Sequence, residues 1–526
     1  MFLRGLCRFR RIVDLIFLTG VLLATRIAFR SHYLYDIDSV NFALGLRRFS
    51  PGEHQPHPPG YFLYIQLGRL VNMLFQDANA ALVSISIAAS CGALLIIYAL
   101  ADHWFGRRAA AFAGLIFVFS PLVWFHGTVA LTYAVEAFFS ALVGYLCWRI
   151  YRGEGKFVFY AAVIAGLAAG FRPSFLLFLL PLMLFSVAFG PVKVSRGRIL
   201  EAAAVLGLIV MAWFIPMVWQ SGGLNAYWSS LLALWRIAPS KQTVFNSSVA
   251  NTIARLFSIG GIYILCFGFA ALLAFRKGRH EEEAAGGRTI FMWMWIGPGL
   301  LFFTLIFLKF VNSGYLLVIS PPVFAWLGLK ASNLYEDLPF RKAGKIISVG
   351  AFVTFNSLIF LFAPVYCSYA GVRHFEAELE SVLRSVPAIA SPADTMIIGF
   401  DSHFLGYRHA GYYLPGWFTA QFPEVRLVSG PRVFAMEHGD TRLVSELPVD
   451  RFKYFLFFPL PSDDSEYGDY MNRVRTRFQN NALRTIVAEG REFTIGAVRD
   501  LPLLFPVAAR ELHPVGDVPQ RPVNGR

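Results

Sequence analysis

Apolar stretches long enough to cross a membrane follow one another over the first 369 residues of the chain. A bilayer core about 30 Å thick needs about 20 apolar residues per helix. The pattern predicts eleven spans, at approximately 12–29, 79–101, 109–126, 131–150, 157–171, 174–190, 199–219, 253–275, 289–309, 314–330 and 345–367. The predicted fold class is therefore an α-helical polytopic membrane protein.

Basic residues in the loops predict the orientation of these helices. With a cytoplasmic N-terminus, the inner segments carry twenty Lys and Arg residues and the short outer connections carry five. Cytoplasmic loops characteristically show such an excess, and no small-residue cleavage site follows the first span, which favours a retained signal anchor. An odd number of spans then places the C-terminal region outside, in the periplasm of a bacterium or in the lumen of a eukaryotic compartment. Of these two locations, we expect the bacterial inner membrane and its periplasm.

The C-terminal region has a different pattern, with short apolar strands separated by polar turns. Strands are predicted at Thr395–Phe400, Val425–Val428, Lys453–Phe458, Thr485–Ala488 and Phe493–Val498, and a helix at 466–484. Glu489–Glu492 predicts a hairpin turn between the last two strands. We expect three parts: a membrane bundle over 1–369 that includes a long first outer loop at 30–78, an outer α/β domain over 370–510, and a disordered tail over 511–526.

Composition and charge narrow the functional classes. The chain is 56% hydrophobic and only 15% charged, whereas soluble domains are about a quarter charged. The net charge of +14 does not indicate nucleic-acid binding, because residues 370–526 hold 17 basic and 19 acidic groups and the excess belongs to the membrane part. The five cysteines show neither a metal-binding spacing nor a disulfide framework.

Acidic residues of the membrane part are concentrated in one outer segment. Of those expected on the outer side, four lie in the first outer loop and one lies inside the fourth span: Asp36, Asp38, Glu53, Asp77 and Glu136. The same loop holds three histidines, His32, His54 and His57. This loop therefore carries the main cluster of carboxylates and histidines on the outer face. Glu136 is expected to form a structural pair with an arginine or with His126.

The residues of this loop leave several interpretations open. Asp36 and Asp38 can be a pair that caps a helix, since Asp38-Ser39 is a good helix start. Alternatively, one of them can be a general base that accepts the proton of a hydroxyl, or the two can share a divalent cation. His57-Pro-Pro-Gly-Tyr61 predicts a stiff turn, which can present His57 near the aspartates and towards a phosphate.

These motifs carry a resemblance to a known superfamily. Asp38-Ser-Val-Asn-Phe-Ala43, followed by His57-Pro-Pro-Gly-Tyr-Phe-Leu-Tyr64, resembles the first outer loop of the protein O-mannosyltransferases. These are polytopic glycosyltransferases of the C-type fold, and their superfamily includes the aminoarabinose transferases. The His-Pro-Pro-Gly-Tyr sequence is most similar to a bacterial branch. One difference is that Ser39 follows Asp38, where O-mannosyltransferases tend to have Asp-Glu.

The resemblance implies an inverting glycosyltransferase with a polyprenyl-phosphate sugar donor and a protein, lipid or glycan acceptor. The acid after the first span is then the catalytic base, which implies Asp38 in preference to Asp36. A leaving prenyl phosphate needs cations, and Arg suits phosphate well. Candidates are His57, Arg172 and Lys309, although Arg172 can also be an arginine that extends its charge to the interface. No cofactor is implied, and a divalent cation remains open.

Two other functional classes compete with this interpretation. A transporter or a lipid or glycan flippase is expected to show ion-pair relays deep in the bundle and inverted repeats, and the sequence shows neither clearly. A scaffold or sensor whose active part is the C-terminal region is the third class. That region has no His/Cys cluster, no Gly-x-Ser-x-Gly motif and no phosphate-binding loop.

Overall fold

A computed structural model describes residues 2–237, 248–275, 285–307, 310–422, 433–444, 447–459 and 483–498. Four predicted features lie outside these residues, wholly or in their greater part. They are Lys309, the strand Val425–Val428, the helix at 466–484 and the tail at 511–526.

The chain forms two compact units. Unit 1 consists of Met1–His32, Tyr61–Trp219 and Ala238–Val372, and unit 2 consists of Tyr33–Gly60, Gln220–Ile237 and Arg373–Arg526. Most of the first outer loop thus belongs to the same unit as the C-terminal sheet, whereas the sequence pattern assigned the loop to the bundle.

The helices are numbered in chain order. Their bounds are α1 Phe2–Ala28, α2 Ile37–Arg47, α3 Phe62–Phe75, α4 Ala78–Phe105, α5 Arg107–Val118, α6 Pro121–His126, α7 Tyr133–Tyr151, α8 Phe157–Phe171, α9 Phe175–Phe189, α10 Arg196–Gln220, α11 Leu224–Ile237, α12 Val249–Phe267, α13 Ala285–Phe302, α14 Ser320–Asp337, α15 Lys342–Phe362, α16 Tyr369–Ile389 and α17 Tyr407–Tyr413. Shorter 3-10 segments follow α12, at Gly268–Phe275, and precede α14, at Phe310–Val318.

Small residues allow the helices of unit 1 to pack closely. A Cβ atom added at Gly328 of α14 would lie 2.4 Å from the carbonyl oxygen of Ala109 on α5. Glycine and alanine at such contacts let two helix backbones approach within a membrane, where packing replaces the hydrophobic effect as the driving force.

The molecule is a largely helical membrane protein with a C-terminal sheet, as the sequence predicted. Among the described residues, five helical segments are long and apolar enough to span a bilayer: Ala78–Phe105, Arg196–Gln220, Val249–Phe275, Gly287–Leu305 and Lys342–Phe362. The number of eleven spans remains a prediction. The expected span at 109–126 is divided, because α5 ends at Val118 and Pro121 begins α6.

Within the described part of unit 2, seven strands form one mixed sheet. They are β1 Thr395–Gly399, β2 Thr419–Gln421, β3 Val433–Glu437, β4 Asp440–Val444, β5 Tyr454–Phe457, β6 Leu483–Ala488 and β7 Arg491–Ala497, in the spatial order β4-β3-β2-β1-β5-β7-β6. Strand β1 is parallel to both β2 and β5, and the other pairs are antiparallel. Its five residues are all buried, since this strand has a neighbour on each side.

The strands predicted at β1, β5, β6 and β7 are present, whereas β2, β3 and β4 were missed. His438 and Gly439 join β3 to β4 with positive φ angles of 53° and 73°, which suits the tight turn that matches strand twist. Glu489 and Gly490 do the same between β6 and β7, with φ of 48° and 76°. The hairpin predicted there is confirmed.

Candidate active site

The N-terminus of α2 separates the roles of the two aspartates. Asp36 is the N-cap, and its Oδ1 accepts a hydrogen bond of 2.8 Å from the backbone N of Asp38. This use of the side chain satisfies a backbone donor that the helix leaves without a partner. The cap of the helix is therefore Asp36, two residues before the cap suggested by Asp38-Ser39. Asp38 lies in the first turn of the helix, with its carboxylate available for other contacts.

Asp38 faces His57 within unit 2. Its Oδ1 lies 3.2 Å from Nδ1 of His57, and the two side chains are 36% and 13% exposed. A carboxylate this open can reach a molecule in solution, while its imidazole partner is largely enclosed. The sequence predicted His57 near the two aspartates, and the structure brings it within ion-pair distance of Asp38.

The motif around His57 forms the expected turn. The N–H of Gly60 donates to the carbonyl oxygen of His57 over 3.1 Å, and Gly60 has a φ of 109° that favours glycine. The imidazole packs at a tilt on Phe42 of α2, with 5.7 Å between ring centroids. These contacts hold His57 beside Asp38.

The next histidine of the loop has a different environment. His54 is partly buried, and the guanidinium of Arg408 donates to its carbonyl oxygen over 3.4 Å. Burial, followed by the positive charges of Arg408 and His57, holds the pKa of His54 well below its usual value. His54 is therefore neutral near pH 7 and is not a cation for a phosphate.

The sheet anchors the middle of the first outer loop through groups that the sequence did not single out. Nε of Arg48 donates to Asp440 Oδ1 over 2.9 Å, and Nε2 of Gln55 donates to the same oxygen over 3.0 Å. Burial raises the pKa of Asp440, but the bonds from Gln55 and Arg48 outweigh it and hold the pKa below its usual value. These contacts join residues almost 400 positions apart in the chain, so no local pattern predicts them.

Asp36 has a histidine partner that the sequence analysis also missed. Nδ1 of His403 lies 3.7 Å from Asp36 Oδ2, which is an ion-pair distance and too long for a hydrogen bond. Burial raises the pKa of Asp36, but the interaction with His403 outweighs it and the net pKa lies below the usual value. Asp401 and His403 directly follow the parallel strand β1, and polar residues at that position often belong to a site. That placement could have indicated them.

Arg172 and Glu136 form an ion pair inside unit 1. Nη1 of Arg172 donates to Glu136 Oε1, and the side chains are 8% and 3% exposed. Three tyrosine rings surround the guanidinium, with Tyr315 nearest at 4.4 Å, followed by Tyr133 and Tyr61. The pairing expected for Glu136 is thus present, and its arginine partner is the one predicted to bind phosphate.

Two further features bear on ligand binding. No group of three or more His, Cys, Asp or Glu side chains in the described part of the chain is placed to hold a metal ion. An apolar cavity of about 440 Å³ lies between α3, α4 and α7, where Val71, Ala88 and Phe138 are among its lining residues. Its lining suits a hydrocarbon chain.

Comparisons with known proteins agree with this architecture. The model of the N-terminal domain of the protein O-mannosyl-transferase TMEM260 matches residues 54–195. This segment begins three residues before His57 and includes Glu136 and Arg172. No curated protein matches the sequence.

Solved structures match over most of the chain. ArnT from Cupriavidus metallidurans bound to undecaprenyl phosphate has 12% sequence identity and a TM-score of 0.56, over 92% of this chain and 97% of that one. Its apo form has 11% identity and a TM-score of 0.55 over the same shares. An oligosaccharyltransferase from Archaeoglobus fulgidus has 14% identity and a TM-score of 0.47, over 84% of this chain and 67% of that one.

The resemblance found in the first outer loop is therefore supported by a family model and by the fold. The chain shares the C-type fold of ArnT, and its residues 54–195 are similar to the N-terminal domain of a protein O-mannosyl-transferase, a member of the superfamily that the first outer loop resembles.

Proposed function

We propose that this protein transfers a sugar from a polyprenyl-phosphate donor to an acceptor hydroxyl on the outer side of the membrane, with inversion. Asp38 takes the proton of the acceptor hydroxyl, and the oxygen forms a bond to the anomeric carbon. The bond from that carbon to the phosphate oxygen breaks on the opposite face, and the electron pair leaves with the prenyl phosphate. The acceptor is a protein, lipid or glycan.

The observation that carries this proposal is the difference between Asp36 and Asp38. Asp36 is largely enclosed, caps α2 and faces His403, whereas Asp38 is more open and faces only one imidazole within ion-pair distance in the described structure. A general base must reach the proton that it accepts. Asp38 meets this requirement better than Asp36.

His57 and Arg172 are our candidates for the donor phosphate. A protonated His57 brings positive charge to the turn beside the base. Arg172 offers a guanidinium, but Glu136 already neutralises its charge, so a phosphate there must compete with that carboxylate. Lys309 remains a third candidate from the sequence alone. The apolar cavity beside α3 is our candidate for the prenyl chain.

We also propose that the N-terminus is cytoplasmic and that the C-terminal region, 370–510, is a periplasmic domain of a bacterial inner-membrane protein. The charge bias of the predicted loops supports this orientation. Reporter fusions after Gly153 and Ser462 should be active in the cytoplasm and outside the membrane, respectively. A cytoplasmic signal from Ser462 would put the Asp38 loop on the wrong side for the proposed reaction.

Donor turnover tests the function directly. Full-length protein in proteoliposomes is incubated with undecaprenyl phosphates carrying mannose, glucose, galactose or aminoarabinose, and with membranes of a strain that lacks the gene. We expect release of undecaprenyl phosphate from at least one donor, dependent on those membranes, and a labelled sugar in the acceptor fraction.

The same vesicles test the main rival. A flippase moves an intact undecaprenyl-phosphate sugar from one leaflet to the other without breaking the bond to the sugar. Movement without release, for every donor in the panel, would replace the transferase proposal by the transport one.

A further inference from the structure

The segment that follows β1 holds the start of α2 in unit 2. The backbone N–H of Ile37 donates to the carbonyl oxygen of His403 over 2.9 Å. The same segment carries an acidic residue, Asp401, two residues after the end of β1. The N–H of Leu34 donates to the Tyr413 hydroxyl at the end of α17 over 2.8 Å. Residues of the C-terminal sheet region therefore fix the backbone just before Asp38.

We propose that His403 is a positioning residue for the catalytic base, an inference that rests on the proposed function of Asp38. Its backbone oxygen fixes the first residue of α2, and its imidazolium balances the charge of the capping Asp36. Asp36 in turn accepts a hydrogen bond from the backbone N of Asp38. His403 therefore acts on Asp38 through the carboxylate of Asp36. The C-terminal region thereby contributes to catalysis without touching the substrate.

The charges around His403 set the pH range of this contact. Burial lowers the pKa of His403, but the interaction with Asp36 and then the charges of Asp38 and Asp401 raise it to about 9. His409, on α17, also faces Asp36, and burial lowers its pKa to about 4, so it is neutral near pH 7. Burial raises the pKa of Asp401, which the charges of Arg408 and His403 partly offset.

The sign of the pH dependence follows from these directions. Because the pKa of His403 is raised, the stabilising effect of its ion pair with Asp36 is complete at a pH below the ordinary pKa of histidine. The charge and the pair are lost as the pH rises through about 9. More than half of the His403 side chain is exposed, and water therefore weakens the pair. We therefore expect a modest decrease in kcat, centred at a pH of about 9.

The experiment measures kcat and donor KM against pH for the wild type, His403→Gln and His403→Lys, with undecaprenyl-phosphate sugars as the probe. In the wild type, kcat should decline as the pH rises through about 9. His403→Gln should lower kcat at pH 7 about fivefold, the scale of a water-exposed charge pair, with donor KM unchanged. His403→Lys should retain most of the rate and move the decline to higher pH.

His374→Gln is the matched control. Nε2 of His374 also lies 3.7 Å from a carboxylate, that of Glu378 on the same helix, and its side chain is 59% exposed. This variant removes an equivalent pair that includes neither Asp36 nor Asp38, and kcat and its pH profile should stay those of the wild type.

Several results would overturn the inference. One is a wild-type kcat that stays constant as the pH rises through 9. This test uses only the wild-type protein, so it does not depend on the folding of any variant. The others are an unchanged rate and profile in His403→Gln, or a His403→Lys variant as slow as His403→Gln. If Asp38→Asn is inactive while the His403 variants match the wild type, only the positioning role fails. If Asp38→Asn is active, the proposed base itself is wrong.

Discussion

Two pairs of a carboxylate and a basic side chain in this protein differ in their access to water. In unit 2, Asp38 and His57 are 36% and 13% exposed, and their contact distance is 3.2 Å. In unit 1, Glu136 and Arg172 are 3% and 8% exposed, and three tyrosines enclose the arginine. Asp38, His57 and Arg172 were candidates for chemistry on sequence grounds, whereas Glu136 was expected to be a structural partner.

The difference in exposure separates two roles for paired charges. A buried pair neutralises itself, and removing one partner leaves an uncompensated charge that costs about 3–5 kcal/mol. A partly exposed carboxylate has a smaller desolvation cost for its charge, and it can exchange a proton with a bound hydroxyl. This difference supports our proposal that the open pair carries out the proton transfer. We expect the buried pair to contribute to stability whether or not it also binds phosphate.

The largest expected effect is on the open pair. Asp38→Asn keeps the volume of the side chain but removes its ability to accept a proton. Because general-base catalysis is worth about 10²–10⁴ in rate, we expect kcat to fall by that factor with undecaprenyl-phosphate binding retained. Asp77→Asn is the control, since Asp77 caps α4 and asparagine caps as well as aspartate. Near-normal turnover in Asp38→Asn would remove the base assignment.

The buried pair should respond in stability. Arg172→Ala leaves Glu136 buried without its partner, so thermal unfolding in detergent should show a loss of about 3–5 kcal/mol. The double variant Arg172→Leu with Glu136→Leu removes both charges and should recover most of that loss.

Donor kinetics of the same variants decide the second role of Arg172. If Arg172 binds the donor phosphate, the double variant is stable but has a raised donor KM, and Arg172→Lys recovers part of the affinity because the charge survives without the guanidinium fork. Normal donor kinetics in the stable double variant would limit Arg172 to a structural role.

Asp36 should behave as a cap. Asp36→Ala removes the acceptor for the backbone N of Asp38, with an expected loss of about 0.5–2 kcal/mol in unfolding free energy. Asp36→Asn preserves the cap but removes the charge pair with His403, so kcat should fall about as far as in His403→Gln, about fivefold, and should not be abolished. If the Asp36→Asn variant is inactive and the Asp38→Asn variant is active, the general base is Asp36, two residues before the one we propose.

The smallest effect is expected at the anchor of the loop on the sheet. Asp440→Asn weakens a bond from an Arg48 side chain that is 42% exposed, and such pairs contribute about 0–1 kcal/mol. Because the pKa of Asp440 is lowered, its contribution is present above the usual pKa of an aspartate and is lost as the pH falls through the lower value. The difference in melting temperature between wild type and variant should therefore vanish in strong acid and in high salt.

The sequence predicts the parts of this molecule that depend on local patterns. Long apolar runs predicted the helical membrane architecture, and the turn at Glu489 and Gly490 predicted the final hairpin. The His57-Pro-Pro-Gly turn was also predictable, since proline and glycine restrict the backbone within a few residues. Strands β2, β3 and β4 were missed; the first is only three residues long, and such short elements have little periodicity.

The partners of the candidate residues were less accessible from the sequence. The pairing of Glu136 with an arginine was expected because a buried carboxylate needs a counter-charge, but the choice of Arg172 depends on the packing of α7 against α8 and α9. The contact of Asp36 with His403 joins residues far apart in the chain. Only the position of His403 just after a parallel strand could have indicated it.

The most direct test of the central claim is the glycan and glycoprotein profile of a deletion strain of the source organism, complemented with the wild type, Asp38→Asn or Asp77→Asn at matched protein levels. We expect one class of sugar modification to disappear on deletion, to return with the wild type and Asp77→Asn, and to remain absent with Asp38→Asn. An unchanged profile on deletion, or full restoration by Asp38→Asn, would contradict a glycosyltransferase that uses Asp38 as its base.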